Sequence, residues 1–148
     1  MTGGLGLAQA GGSVAPMDAR EHGIAPLDEL LGIEYPSDGP DPATASLAVR
    51  DELLQPFGIV HGGVLAAIAE SVCSRATWLA LRDQDLLAFG QSNAISFLRP
   101  ISAGTIHASA RPRHQGRTTW VWDVEISDDE QRLCAVARLT IAVRPERS

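Results

Sequence analysis

The 148-residue chain contains no lysine; all 12 of its Lys-or-Arg positions are arginines. Schiff-base chemistry and a lysine general base are therefore excluded, while arginine's planar fork keeps contacts to phosphate open. Basic residues are also outnumbered, 12 against 18 acidic, for a formal net charge of -6 and a pI near 5.1. General nucleic-acid binding needs a cationic surface and is disfavoured by this balance, although a local basic patch can still hold a small anionic ligand. Cysteine is scarce. Cys73 and Cys134 stand far apart in apolar surroundings, which suits buried free thiols and not a disulfide framework. The four histidines, His22, His61, His107 and His114, are scattered without HExxH spacing, and CxxC is absent, so no metal site is expected. A GxSxG elbow is missing too, which disfavours an α/β-type serine hydrolase. Residues 1–16 lack the basic and apolar regions of a signal peptide, and no apolar run is read as approaching a membrane span. The expectation is a cytoplasmic protein with neither nucleic-acid nor membrane partner.

What is present is an ordinary globular composition, 45% hydrophobic and 20% charged. Residues 1–16, with glycine pairs at Gly3-Gly4 and Gly11-Gly12, read as a flexible tail, and 17–148 as one domain. A short helix is expected within 17–31, ending near Gly32, then a strand from Ile33 and a proline-rich turn over 36–42. Alternation predicts a strand over 44–50 with Ala45, Leu47 and Val49 on one face. From Gly62 to about Arg82, Leu65, Ala69, Val72, Ala76 and Leu79 form an apolar helical stripe. Four strands follow, over 86–99, 105–113, 118–126 and 132–143, the last three spaced as an antiparallel meander. The fold class is thus α+β: one long apolar helix covered by a curved antiparallel sheet. Pairing exposed strand edges across a two-fold axis is one way to remove them.

The segment that carries chemistry runs from Gln55 to Ser74. Gly62 and Gly63 open the helix, where the first amides have no partner within it and lie at the positive end of its dipole. Glycine there admits a ligand close to the backbone, so the site can hold a developing oxyanion; a plain helix start is the alternative. Glu70 is the only charged side chain from Gly62 to Ser74 and shares a face with Gly63, Ala66, Ala67, Ser74 and Thr77, all small. Such a carboxylate is either kept for function or ion-paired, to Arg75 or a sheet arginine. His61 can cap the helix, orient the loop or act in acid-base chemistry. Gln55 is an ordinary loop residue unless it faces the same cavity, and Ser74 lies one turn beyond Glu70. Arg117 and Thr118 sit in a turn that can touch phosphate at a pocket rim, as can Arg99 and Arg147, though solvated arginines are the plainer reading.

His61-Gly62-Gly63 followed by Glu70 resembles the hotdog-fold acyl-CoA thioesterases of the PaaI-like group, nearest the glutamate-type 4-hydroxybenzoyl-CoA thioesterases. The likeness runs from about Thr44 to the C-terminus and includes Gly90 to Pro100, Thr118 to Val124, Leu133 to Val136 and Ile141 to Pro145. It implies a hotdog fold, two-fold dimers with shared active sites, and a tetramer built from two of them. The Gly62 amide would polarise the thioester carbonyl, while Glu70 from the partner's helix acts as nucleophile or as general base for water. Gln55, His61 and Ser74 match supporting positions, and Arg99, Thr118 and Arg147 match positions that hold coenzyme A. Arg117 departs from the pattern, where a small hydroxyl residue is usual. Coenzyme A is then part of the substrate, and no cofactor is implied. The expected substrate is an aromatic acyl-CoA, 4-hydroxybenzoyl-CoA first. A hotdog hydratase or dehydratase and a non-catalytic acyl-CoA binding module are the alternatives.

Overall fold

The computed structural model describes residues 24–37, 39 and 41–147. The expected tail over 1–16, the helix expected to begin at 17, and His22 lie outside the described residues. Within them the first helix, α1, spans Pro26–Leu31. Proline at its first position suits an amide that needs no partner, and Gly32 at φ 83° closes it by donating to the Asp28 and Glu29 carbonyls. The strands are β1 (Glu34–Ser37), β2 (Ala43–Ala48), β3 (Leu86–Phe97), β4 (Thr105–Gln115), β5 (Thr119–Ser127) and β6 (Leu133–Pro145). The long helix α2 spans Gly62–Leu81.

All six strands form one antiparallel sheet in the order β1-β2-β4-β5-β6-β3. The meander expected of the last three strands is present as β4-β5-β6. Strand β2 stops at Ala48, two residues short of expectation, and Val49 is only half-buried. Arg50 explains the stop, because its guanidinium turns away to the carbonyl oxygens of Leu31 (2.6 Å) and Leu30 (2.8 Å) at the end of α1. Strand β4 runs through Pro112 by a register shift between Pro112 and His114, the setting in which a strand tolerates proline.

The sheet wraps α2, whose Leu65, Ile68, Ala69, Val72, Cys73, Ala76 and Thr77 are buried against sheet residues such as Leu47, Ile106, Trp122 and Leu139. Two sequence expectations need correcting here. Leu79, placed on the apolar stripe, is half-buried, and Thr77, placed on the open face with Glu70, is fully buried. Trp122 of β5 is the reason for the second: its indole Nε1 donates to Thr77 Oγ1 at 2.9 Å, so the sheet closes over that end of the face. The run from Gly62 to Gln84 is also long and apolar enough, by length and composition, to cross a membrane, contrary to the expectation for any apolar run. Its apolar side faces the sheet, as that of a core helix does. Both cysteines are buried, and burial raises both thiols above their ordinary range.

The two outer strands differ. β1 is four residues long, whereas β3 is a twelve-residue edge with its outer side unpaired among the described residues. Phe89 and Phe97, and Leu98 just beyond the strand, are exposed along it.

Candidate active site

A tight loop delivers the chain into α2. Leu54 and Val60 form an isolated antiparallel bridge, the Gln55 N–H donates to the Ile59 carbonyl at 2.8 Å, and Gly58 turns the chain at φ 77°. The loop leaves Gln55 half-buried and Phe57 86% exposed. His61 then caps the helix: its Nδ1 accepts the Gly63 N–H at 2.8 Å, which leaves the proton of a neutral ring on Nε2. Capping was one of the roles open to His61 in sequence. With the Gly63 amide occupied, the Gly62 N–H is the helix-start donor without an acceptor among the described residues. A Cβ at Gly62 would fall 2.8 Å from Cζ of Phe97 on β3, so a side chain there would have to push that exposed ring aside.

Eight residues along α2, Glu70 is exposed and makes no hydrogen bond or ion pair among the described residues. The salt bridge to Arg75, open in sequence, is not formed. The Arg75 guanidinium stands 4.4 Å from the centre of the Tyr35 ring instead. The Glu70 carboxylate lies against the Gly90 backbone of β3. At about 1.5 Å rise per residue, Glu70 and Gly62 of one chain are separated by roughly 12 Å along the helix. One chain alone does not bring both to a single carbonyl.

Beside Glu70 opens a cavity of about 430 Å³, lined also by Ser74 and Trp78 of α2, Leu87 and Phe89 of β3, and Asp28 of α1. Sequence reasoning missed the polar set on its wall. Asp28, 4% exposed, accepts hydrogen bonds from the Tyr35 hydroxyl and from Ser71 Oγ (2.7 Å). Burial first, then the bond to Asp28, pushes the Tyr35 phenol well above its ordinary range. These contacts pin α1 to α2 next to Glu70. The single tyrosine was visible in sequence, but nothing there joins residues 28 and 71. Asn93 of β3 was missed in the same way: its Nδ2 donates to the Ala66 carbonyl at 3.0 Å.

The structure places the candidate coenzyme A residues in two groups. Arg117 and Thr118 lie in the β4–β5 turn, where the Thr118 carbonyl accepts from the Val143 N–H and from Arg144 Nη1 near the end of β6. Arg147 follows β6, where the Glu146 N–H donates to the Asp85 carbonyl just before β3 begins. Arg99 lies just past the other end of β3, with its N–H on the Cys134 carbonyl. Twelve residues of strand span about 40 Å, too far for one protomer to grip a single nucleotide from both ends.

An apolar cavity beside a carboxylate that is unpaired among the described residues, on a long helix wrapped by an antiparallel sheet, describes a hotdog-fold thioesterase. The profile of the thioesterase superfamily matches residues 57–135, and the chain belongs to that family. It is 38% identical to the proofreading thioesterase EntH of Cronobacter turicensis, covering 81% of this chain and 87% of that protein. It is 35% identical to the 1,4-dihydroxy-2-naphthoyl-CoA hydrolase of Listeria monocytogenes, covering 82% and 98%. Among solved structures, a mutant of the thioesterase PA1618 of Pseudomonas aeruginosa superposes with a TM-score of 0.77 at 37% identity, covering 80% of this chain and 86% of that one. The protein is accordingly a thioesterase, an enzyme of acyl-CoA thioester hydrolysis.

Proposed function

We propose that the chain hydrolyses an aromatic acyl-CoA, with 4-hydroxybenzoyl-CoA the first candidate, at a site shared by two protomers in the cytoplasm. The observation that carries this reading is the Glu70 carboxylate, unpaired among the described residues, on the wall of an apolar cavity. A cavity of about 430 Å³ is near the lower end of the range for small-molecule sites, about 300–1,000 Å³. Trp78 and Phe89 on its wall suit a ring, because paired rings gain about 0.5–1.5 kcal/mol beyond their burial. The name of the 1,4-dihydroxy-2-naphthoyl-CoA relative favours an aromatic acyl group here as well.

In this reading the Gly62 N–H of one protomer polarises the carbonyl oxygen, a donor of the kind worth about 3 kcal/mol. Glu70 of the other acts at the carbonyl carbon. As general base it takes a proton from water; hydroxide adds to the carbon, the C–S bond breaks, and the thiolate of coenzyme A leaves with that proton. As nucleophile it forms a mixed anhydride and expels the thiolate first, and water then splits the anhydride. Gln55, His61 and Ser74 support these groups, His61 through its cap on Gly63. Arg99 from one protomer and Arg117, Thr118 and Arg147 from another hold the nucleotide and phosphates, which answers their separation within one chain.

Release of the coenzyme A thiol from 4-hydroxybenzoyl-CoA, benzoyl-CoA, phenylacetyl-CoA and hexanoyl-CoA tests the proposal. The aromatic esters are expected to turn over fastest, and Glu70→Ala to lower kcat by at least about 10³-fold with the fold intact. Preference for hexanoyl-CoA would remove the aromatic assignment, and undiminished turnover by Glu70→Ala would remove Glu70.

A further inference from the structure

Gly90 stands inside β3, where a glycine weakens a strand and offers nothing to pack. Its backbone does not call for glycine, because the glycines at positive φ are Gly32, Gly58 and Gly104 among the described residues. Space does. A Cβ built on Gly90 would fall on Oε1 of Glu70, 2.9 Å from its Cδ and 3.2 Å from its Cγ. The β3–β6 register shifts between Gly90 and Ser92, and such a bulge bends a strand and re-aims what it carries. The strand is also tied to the helix on this side. Asn93 bonds the carbonyl of Ala66, one helical turn before Glu70, and its buried Oδ1 has no donor among the described residues, so that one bond holds it. Within the sheet Gly90 pairs with Ile141 of β6. The Asn93 bond and the β6 ladder thus hold the strand against the helix at this point.

We propose that Gly90 is a positioning residue for Glu70: the place its side chain would occupy is the seat of the carboxylate. The inference rests on the reading of Glu70 as the catalytic acid. A methyl at residue 90 meets the far end of a flexible, exposed side chain, so the carboxylate yields and the fold does not. Displacing a reacting group by about 1 Å can lower a rate about 100-fold.

The test is a double-mutant cycle on hydrolysis of benzoyl-CoA, with phenylacetyl-CoA and hexanoyl-CoA in parallel. Gly90→Ala is expected to lower kcat about 100-fold, to change KM less than about threefold and to leave the melting temperature unchanged. In a Glu70→Asp background the acid is one methylene shorter and no longer fills the seat, so adding Gly90→Ala should change kcat less than about threefold. Equal losses in both backgrounds, full activity of Gly90→Ala, or loss of its fold would each overturn the inference. Glu70→Ala separates the two layers. If it is inactive while Gly90→Ala is fully active, only the role of Gly90 falls; if it keeps full activity, or no ester is hydrolysed by the unsubstituted protein, both fall.

Discussion

Thr77 is a polar residue at the centre of the core that two bonds make tolerable. Its hydroxyl donates to the Cys73 carbonyl at 2.8 Å and accepts the indole N–H of Trp122 at 2.9 Å, and neither Thr77 nor Trp122 has measurable exposure. Thr77→Val keeps the shape and strands that N–H in a dry interior, at a cost of about 1–3 kcal/mol. Urea denaturation should show a loss of this size, with Thr77→Ser close to the unsubstituted protein; unchanged stability in Thr77→Val would contradict the bond's role. The case also marks how far single residues can be read from sequence. Glu70 was legible because it is the lone charge over the first three turns of an apolar helix, from Gly62 to Ser74. Thr77, seven residues on, looked like its neighbour on an open face, and only Trp122, 45 positions away, reverses that. Asp28 and Ser71 are hidden for the same reason, meeting across 43 positions. Gly90 carried a signal, a glycine inside a strand, but the signal does not say what fills the space.

At the scale of elements, β3 is the long edge strand and the strand that touches both ends of the chemistry. Gly62 lies under Phe97, and Glu70 lies over Gly90. An antiparallel pairing of two β3 strands centred near Ala94 would set Gly90 of one protomer opposite Phe97 of its partner, allowing for the bulge after Gly90. The partner's Gly62 would then come to Glu70. Residues directly opposite in such a pair have Cα atoms about 4.5–5.5 Å apart, within disulfide reach, and at a two-fold centre a residue meets itself. Ala94 is exposed and the native cysteines are buried, so Ala94→Cys should give a disulfide-linked dimer under mild oxidation, seen on a non-reducing gel. A wholly monomeric product would argue against this pairing. Element positions themselves were largely legible: α2 was expected from Gly62 to about Arg82 and ends at Leu81, and the four later strands fall within about two residues of expectation. Their order was not. Placing β6 between β5 and β3 joins Leu86 to Pro145, a pairing that hydrophobic period cannot encode.

For the molecule as a whole, the geometry of one chain poses the question that the proposed dimer answers, because roughly 12 Å of helix separates the amide donor from the carboxylate. Mixing two inactive variants tests the shared site most directly. Gly62→Pro removes the donor N–H at a first helical position, where proline is tolerated, and the extended backbone of His61 already suits a following proline. Its ring would meet Phe97, whose own ring is exposed enough to turn aside. Glu70→Ala removes the acid. When the two variants are dissociated and reassembled together, half the dimers are mixed and each mixed dimer holds one site with both groups intact. Thioester hydrolysis should then return to about a quarter of the unsubstituted rate. Recovery to that level is the predicted result, and a mixture as inactive as its two components would contradict a site built from two protomers.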